Sequence, residues 1–220
     1  MRIVFSLLFS FVFGFTFAQT THNVGDFNAI EAFDQLSVIL VPSDKNEIKI
    51  SGAKADKVTF VNKSKSLKLR MELTNFLQGD RTTVTVYYKK LNSIRVSEGA
   101  TVNSDETLDA TSLSLNAKEG AAINLAVNST KLDSKVTSGG IIQLRGNADT
   151  QDIVCNAGGV YEGKELTSKI ANVTVNAGGM AEIYATEFVN AKTRAGGNIN
   201  VFGGAEVSQS NFAGGNVNIH

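Results

Sequence analysis

The chain has 220 residues, with 21 Lys and Arg residues against 21 Asp and Glu residues, so its formal net charge is zero. Without a global positive field it has no electrostatic means of recruiting nucleic acid, which is therefore excluded as an expected partner. Charged residues make up 19% of the sequence, Gly occurs 20 times, Pro once and Trp never. This composition favours many short strands joined by tight turns, and the length suits one continuous domain.

The N-terminal segment has the features of an export signal. Arg2 precedes an almost wholly apolar run over residues 3–17, and Thr16 and Ala18 stand at the −3 and −1 positions of a cleavage site before Gln19. The run of about fifteen residues is shorter than the roughly twenty that a membrane-spanning helix needs. We therefore predict a signal peptide over residues 1–18 and a mature domain over 19–220 without a stable membrane span. The expected location is the periplasm, the outer surface or the extracellular space.

Residues 24–94 are β-like but irregular. Runs such as FDQLSVILVP and TTVTVYYKKL alternate or are continuously apolar, and polar breaks such as SDK and NKSKS separate them. We predict longer, less regular coils here, which begin the sheets of the C-terminal half and cap their N-terminal end.

Glycines recur at a nearly constant interval over residues 95–220. Each is the second residue of a Gly-Gly or Glu-Gly pair, and successive ones are 18 to 21 residues apart: Gly99, Gly120, Gly140, Gly159, Gly179, Gly197 and Gly215. Period-two alternation follows the pairs, as in Ile199 and Val201. Each repeat is therefore predicted to be one coil, made of a strand, a glycine corner, a strand and a second turn. Second turns are expected at residues 127–131, 146–150 and 202–206.

Coils of about twenty residues cannot bury their own apolar side chains, whereas stacked neighbours bury a continuous column. The sequence therefore predicts an all-β fold, a β-solenoid with about seven coils. We expect the named glycines to adopt positive φ angles, which cost other residues roughly 1–2 kcal/mol. Glu98 and Glu119 replace the leading Gly in the first two coils, so a bulge or longer turn is expected there.

The segments FNAIEAFDQLSVILVPSDKNEIKISG, VTVYYKKLNSIRVSEGA and AGGNINV resemble the head GIN domain of autotransporter-type adhesins, once described as a domain of unknown function. The resemblance extends over residues 25–219. It implies a single-stranded, right-handed parallel β-helix in secreted or surface proteins of Bacteroidetes-type bacteria, with an adhesin-like role. It brings no catalytic, cofactor or metal residues with it.

Candidate catalytic groups are few. His22 and His220 lie at the two ends of the mature chain, which argues against a His-based triad or metal site inside the fold. Asp105, Glu106 and Asp109 are close in sequence, but their spacing favours a solvated segment over a site with a buried carboxyl group. The only cysteine, Cys155, is predicted to be a small buried residue. We expect no enzyme activity, no catalytic residues, no cofactor and no metal.

Charged and aromatic side chains could instead form a binding surface. The outward charges are expected to be a scattered soluble surface: Arg145, Glu162, Lys164, Glu182, Glu187 and Arg194. Tyr161 and Tyr184 follow consecutive Gly-Gly pairs and are the candidate ligand contacts, because exposed tyrosines stack on sugar rings. Phe188, Phe202 and Phe212 are expected inside the solenoid. Asn156 and Asn176 occupy the same repeat position and are predicted to form a hydrogen-bonded ladder.

Three functions remain open. The first is an adhesin-like module that binds a surface glycan or a protein. The second is an assembly protein whose last strand, ending at Ile219, leaves an edge open to another copy. The third is a carbohydrate-active enzyme that works with calcium.

Overall fold

Alternation of buried and exposed side chains runs through most strands of the protein. The computed structural model describes residues 20–220, so the predicted signal peptide lies outside the described residues. The N-terminal part contains β1 (Thr20–Asn23), β2 (Ala29–Ala32), β3 (Ser37–Pro42), β4 (Glu47–Gly52), β5 (Val58–Lys63), β6 (Ser66–Met71), β7 (Thr82–Tyr88) and β8 (Ser93–Val96), with short 3-10 helices at Ala55–Lys57 and Leu73–Asn75.

Long strands make up the C-terminal part. They are β9 (Thr101–Lys118), β10 (Ala122–Thr137), β11 (Ile141–Asn156), β12 (Val160–Asn176) and β13 (Met180–Arg194), followed by the shorter β14 (Asn198–Phe202), β15 (Glu206–Phe212) and β16 (Asn216–Ile219). Each long strand pairs in parallel with the next, β13 pairs with β14 and β15, and β14 pairs with β16. The fold is the predicted all-β solenoid of about seven turns.

The glycine corners bend at a different residue from the one expected. In the corner after β11, Ala157 (φ 47°) and Gly158 (φ 73°) are left-handed, whereas Gly159 is not. Gly159 is required for another reason, because a Cβ there would lie 2.5 Å from the Val136 carbonyl oxygen of the preceding coil. The prediction that Gly140, Gly159, Gly179, Gly197 and Gly215 adopt positive φ angles is therefore wrong, since the bend falls one and two residues earlier.

The first two corners are equivalent to the later ones. Glu98 (φ 58°) and Gly99 (φ 70°) adopt the same pair of left-handed conformations, as do Glu119 (φ 56°) and Gly120 (φ 71°). Gly99 and Gly120 therefore align with the first glycine of the later pairs, and the bulge expected at these corners does not occur there. The extra residues of the first coil, which follows Gly99, lie instead at residues 104–106 of β9, where the register with β10 shifts.

The second turns also differ from the prediction. Residues 127–131 and 146–150 lie inside β10 and β11, whose pairing continues through them, while the third segment contains a true break between β14 and β15. The buried positions of β10 nevertheless change parity between Ser129 and Leu132. The coil thus turns a corner within a continuous strand.

The N-terminal strands begin the same sheets, as predicted. β3 and β8 pair in parallel with β9, and β2 pairs in parallel with β8. The expectation of further coils is wrong for the outer strands, because β1 with β4, β4 with β7 and β5 with β6 are antiparallel. Ser64 (φ 52°) and Lys65 (φ 63°) form a two-residue turn that reverses the chain between β5 and β6.

One hydrophobic core extends from Val24 to Ala205 along the solenoid. Cys155 is buried in it, and burial raises the pKa of its thiol to about 12, in agreement with the predicted structural role. Over residues 20–220, no helix has the length and apolar character needed to cross a membrane.

Candidate functional site

Tyr161 is not a ligand contact. Its side chain is fully buried, and its hydroxyl donates a hydrogen bond to Gln151 Oε1 at 2.8 Å. Gln151 Nε2 donates in turn to Ser168 Oγ at 2.7 Å, so the three side chains form a polar network inside the solenoid. Burial raises the pKa of the Tyr161 hydroxyl. The prediction that this side chain faces solvent is wrong.

Tyr184 is half-buried and lies on the outer side of β13. It differs from Tyr161 because it follows its Gly-Gly pair by five residues, whereas Tyr161 follows by two, and strand alternation sends the two side chains to opposite faces. Ala181 is the residue that pairs with Tyr161 in the next coil. Tyr184 pairs instead with Thr167 on one side and Phe202 on the other. Its role as a ligand contact stays a prediction.

The phenylalanines are more exposed than expected. Phe188 is 36% exposed and Phe212 is 72% exposed, so their predicted interior placement is wrong. Phe202 is partly exposed, and its ring stacks on His220 with centroids 4.5 Å apart. Lys164 Nζ lies 4.3 Å from the centroid of the Phe202 ring. These contacts place three aromatic or cationic groups together on the outside of the last coils.

The asparagine ladder is confirmed. Asn176 Nδ2 donates to Asn156 Oδ1 at 2.7 Å across neighbouring coils. The same contact recurs at the C-terminal end, where Asn216 donates to Asn198 at 3.0 Å and Asn218 donates to Asn200 at 2.9 Å. Amide side chains in register therefore tie successive coils together.

The candidate carboxylates Asp105, Glu106 and Asp109 are all exposed on β9, as expected for a solvated segment. The outward charges are less scattered than expected. Arg145, Glu162, Lys164 and Glu182 line one depression of about 370 Å³ over β11 to β13. The two signs are mixed within it, so it has no uniform charge to select an ionic ligand.

A larger depression, the corner groove, has a volume of about 640 Å³ and follows the corner within β9 to β13. Five successive coils contribute to it: residues 109–111, 128–130, 147–149, 167–169 and Thr186. Its floor follows a column of small residues that pair in register, and all but the first of them are buried: Ala110, Ser129, Ala148 and Ser168. Because these side chains are small, the corner is concave rather than convex.

Polar side chains form the two walls of the corner groove. Asp109, Asn128, Asn147 and Thr167 line one side, and Thr111, Thr130, Asp149 and Lys169 line the other. Asn128 Nδ2 donates to Asp109 Oδ1 at 2.9 Å, and Lys169 Nζ lies 2.7 Å from Asp149 Oδ1. Ser129 in the floor is 8% exposed, and its Oγ has no hydrogen-bond partner in the described chain.

Sequence reasoning missed the corner groove, although a signal was present. The second turns predicted at residues 127–131 and 146–150 align with residues 108–112 and 166–170. This alignment places Ala or Ser at one position in four coils. The walls could not be assigned without knowing which side of each strand faces solvent.

The family described as "Putative auto-transporter adhesin, head GIN domain" matches residues 26–205. No curated protein shows significant similarity to the sequence.

Solved structures share the fold. A "putative adhesin" from Bacteroides fragilis NCTC 9343 has a TM-score of 0.83 at 19% identity, covering 94% of this chain and 97% of that chain. A "putative adhesin" from Parabacteroides distasonis ATCC 8503 has a TM-score of 0.76 at 19% identity, covering 93% and 97%. A "putative lipid binding protein" from the same organism has a TM-score of 0.72 at 14% identity, covering 92% and 96%. Because the family match covers most of the sequence, the chain belongs to the auto-transporter adhesin head GIN domain family.

Proposed function

We propose that the protein is an exported, non-enzymatic interaction module that binds a surface glycan or a protein through the outer faces of its stacked coils. Membership of the adhesin head family supports this role. The observation that carries it is the corner groove, a polar depression built by five successive coils. The exposure of Asp105, Glu106 and Asp109 supports binding without catalysis, because a general acid needs a buried carboxyl group to raise its pKa.

The test is binding by the mature chain, residues 19–220. Labelled protein is titrated onto bacterial and host cell surfaces and onto arrays of glycans and extracellular proteins, and soluble polysaccharides are incubated with it in the presence of calcium. Saturable binding without release of reducing ends or unsaturated products supports the proposal. Turnover of a polysaccharide, or no saturable binding to any of these surfaces, contradicts it.

A second candidate function is self-association through the C-terminal end, with a second copy as the partner. In the described chain β15 pairs only with β13 and β16 only with β14, so each has one free edge. The sequence of the two strands, EVSQSNF and NVNI, has a single charge at Glu206, whereas edge strands that avoid pairing usually carry several. Val217 and Ile219 continue interior columns, yet Ile219 is 59% exposed.

The two ends of the solenoid differ, because antiparallel strands close the N-terminal one. We therefore propose that two C-terminal ends pair with each other. Light scattering over a range of concentrations should show a dimer that Val217→Lys converts to a monomer, with the exposed Ser114→Lys as the control. A wild-type mass that stays monomeric at every concentration would rule out this candidate.

A further inference from the structure

We propose that a strip of basic side chains along one outer side of the solenoid is a docking surface for a linear acidic polysaccharide. The inference rests on the proposed function and specifies its ligand class and the surface that binds it. The strip lies on the side formed by the strand halves that precede the glycine corners. Six cations define this basic strip: Lys68, Arg95, Lys118, Lys135, Lys192 and Arg194.

Strand pairing brings these cations into two neighbouring columns. The first column runs in register from Lys68 to Lys192 through β6, β2, β8 and then β9 to β13, and four of its eight side chains are cations. Glu31 is the one acid among the eight, and it pairs with Arg95 at 3.2 Å. Lys118 and Arg194 follow the first column by two residues, so they face the same side and form the second column.

Most charges of the basic strip are not neutralised. In the part of the chain that the structure describes, no carboxylate oxygen lies within 4.0 Å of the side-chain nitrogens of Lys135, Lys192 or Arg194. The neighbouring acids Asp133 and Asp152 are instead paired with Lys131, at 3.4 and 3.5 Å. An anionic ligand would therefore meet cations whose charge is available.

The opposite side of the solenoid carries the balancing acids. Within β9 to β13, the strand halves that follow the glycine corners have the cations Arg145 and Lys164 against five acids: Asp105, Glu106, Glu162, Glu165 and Glu182. The formal net charge of zero therefore conceals two sides of opposite sign. The electrostatic field near the basic strip is positive and attracts anions to that side.

The shape of the basic strip favours a single chain over a flat anionic membrane. Seven strand spacings of about 4.8 Å separate Lys68 from Lys192, so the strip is about 34 Å long, whereas its two columns are only about 7 Å apart. Asp133 flanks the strip on one side and Glu119 on the other. These acids would repel a flat anionic surface but leave a track for one linear polymer.

The spacing of the cations favours a sugar chain over an acidic peptide. Lys68 and Arg95 are two strands apart, as are Arg95 and Lys135, which is about 10 Å in each case. A disaccharide unit of an extended β-linked polysaccharide has a similar length, so one acidic group per disaccharide would meet successive cations. An extended peptide turns side chains to the same side about every 7 Å and would drift out of register.

One end of the basic strip also offers an aromatic ring. Lys192, Arg194 and Phe212 line a depression of about 410 Å³. Phe212 is 72% exposed and pairs in register with Arg194. Cations beside an exposed ring suit a sugar acid, whose carboxylate or sulfate pairs with the cations while the apolar face of the sugar packs on the ring.

The experiment uses the mature chain and linear oligosaccharides of graded length in neutral, uronate-containing and sulfated forms, with binding measured by calorimetry. Affinity for the acidic forms should rise with length until the oligosaccharide covers the basic strip. It should fall at least about fivefold when NaCl is raised from about 0.05 M to about 0.5 M, because salt screens exposed charges. Neutral oligosaccharides should bind at least about tenfold more weakly than acidic ones of the same length.

Substitutions test the position of the site. Lys192→Gln and Arg194→Gln should each weaken binding about twofold to fivefold, the loss expected for one exposed ion pair, and the double variant about tenfold. Their thermal unfolding should match the wild type, because neither side chain forms an ion pair in the described chain. The matched control combines Arg145→Gln with Lys164→Gln, which removes the same two kinds of charge from the opposite side, and it should bind like the wild type.

Equal weakening by the two double variants would overturn the basic strip as the site, and a preference for neutral oligosaccharides would overturn the ligand class. Either result leaves the proposed function intact. Tighter binding to vesicles containing phosphatidylglycerol than to any oligosaccharide would assign the strip to a membrane surface and overturn the inference. If no glycan binds, the inference fails, and binding to a protein or a cell surface then decides whether the proposed function survives.

Discussion

At each glycine corner of the solenoid two adjacent residues adopt left-handed conformations, and the first of them is not glycine. Ala157 and Ala177 have φ angles of 47° and 48°, which cost roughly 1–2 kcal/mol for a residue with a Cβ. The following amide compensates, because it points along the axis and bonds the next corner. Gly158 N donates to the Ala177 carbonyl oxygen at 3.2 Å, and Gly99 N donates to the Glu119 carbonyl oxygen at 3.0 Å. Corners therefore stack through hydrogen bonds as strands do.

The two glycines of a corner should respond differently to substitution. Gly158→Ala should lower the free energy of unfolding by about 1 kcal/mol, because its φ is 73° but no atom lies within 4 Å of the added Cβ. Gly159→Ala should cost about 3 kcal/mol, because its Cβ would meet the Val136 carbonyl oxygen and push the coils apart. Denaturant unfolding of both variants measures the difference. Equal losses would contradict the assignment of separate roles.

Tyr161→Phe should destabilise the protein by about 1–3 kcal/mol, because Gln151 Oε1 would lose its donor inside the core. Ligand binding by the folded variant should be unchanged, since the wild-type side chain is fully buried. Denaturant unfolding and a binding titration separate the two effects. Tyr184→Phe is the control on the outer surface, and it should leave stability within error of the wild type.

Two carboxylates lie close together beneath the first corner. Asp34 is fully buried, accepts a hydrogen bond from the Met71 amide at 3.0 Å and lies 3.5 Å from Arg70 Nε. Burial, and then the neighbouring Asp34 carboxylate, raise the pKa of Glu98. The folded state thus favours the protonated form of Glu98 more than the unfolded state does.

Glu98 should therefore make stability decrease with rising pH. Its favourable contribution is present below the ordinary glutamate pKa of about 4.3 and is lost as pH rises through the higher value in the folded protein. Glu98→Gln should raise the melting temperature at pH 7 and have little effect at pH 4, as read by thermal unfolding at both pH values. Glu119→Gln, at the same position one coil later and paired with Lys118 at 2.9 Å, is the control. A lower melting temperature for Glu98→Gln at pH 7 would refute this account.

At the scale of the strands, the coils differ in length, and their extra residues lie within the strands rather than at the glycine corners. The register between β9 and β10 shifts across residues 104–106, and that between β12 and β13 shifts across residues 164–166. Ser104 stabilises the first irregularity, because its Oγ donates to the Leu40 carbonyl oxygen at 3.1 Å and accepts from the Glu106 amide at 3.2 Å. The corners can therefore stay in register although coils differ in length.

The rate of backbone amide hydrogen exchange should depend on where a strand lies in the sheet. Amides of β11 and β12 are covered by paired strands on both sides and should exchange slowest, whereas β15 and β16 have a free edge and exposed side chains and should exchange fastest. Exchange followed by mass spectrometry at low protein concentration measures this order. Protection of β16 equal to that of β11 under these conditions would contradict it.

Over the whole molecule, each coil stacks on its nearest neighbours, and the two ends of the stack differ from each other. Antiparallel strands close the N-terminal end, whereas the C-terminal end exposes Ile219 and Phe212. Stability of such repeat folds is approximately the sum of coil and interface contributions, so the terminal coil contributes least.

A chain that ends at residue 202 should therefore remain folded. Losing β15 and β16 removes their pairing to β13 and β14 and leaves the pairing of β9 to β12 intact. Circular dichroism should retain the β-sheet signal, and the melting temperature should fall by about 2–4 °C for each kcal/mol lost. Complete unfolding of the shortened chain at room temperature would show that the end is not a separable unit.

A constant spacing along the chain places equivalent residues side by side when the coils stack. The sequence alone therefore predicts the solenoid, its period and the ladder at Asn156 and Asn176. It also indicated the buried Cys155 within an apolar strand. The antiparallel closure of the N-terminal end was not predictable in the same way, since alternation along a strand contains no information about the direction of its partner.

Tertiary packing sets which side of each strand faces solvent beyond the corner. A shift of one residue sends a side chain to the opposite face, which is why Tyr161 is buried while Tyr184 lies outside. The corner groove was decided in the same way, because its small floor residues become concave only when the polar walls of five coils are brought into register around them.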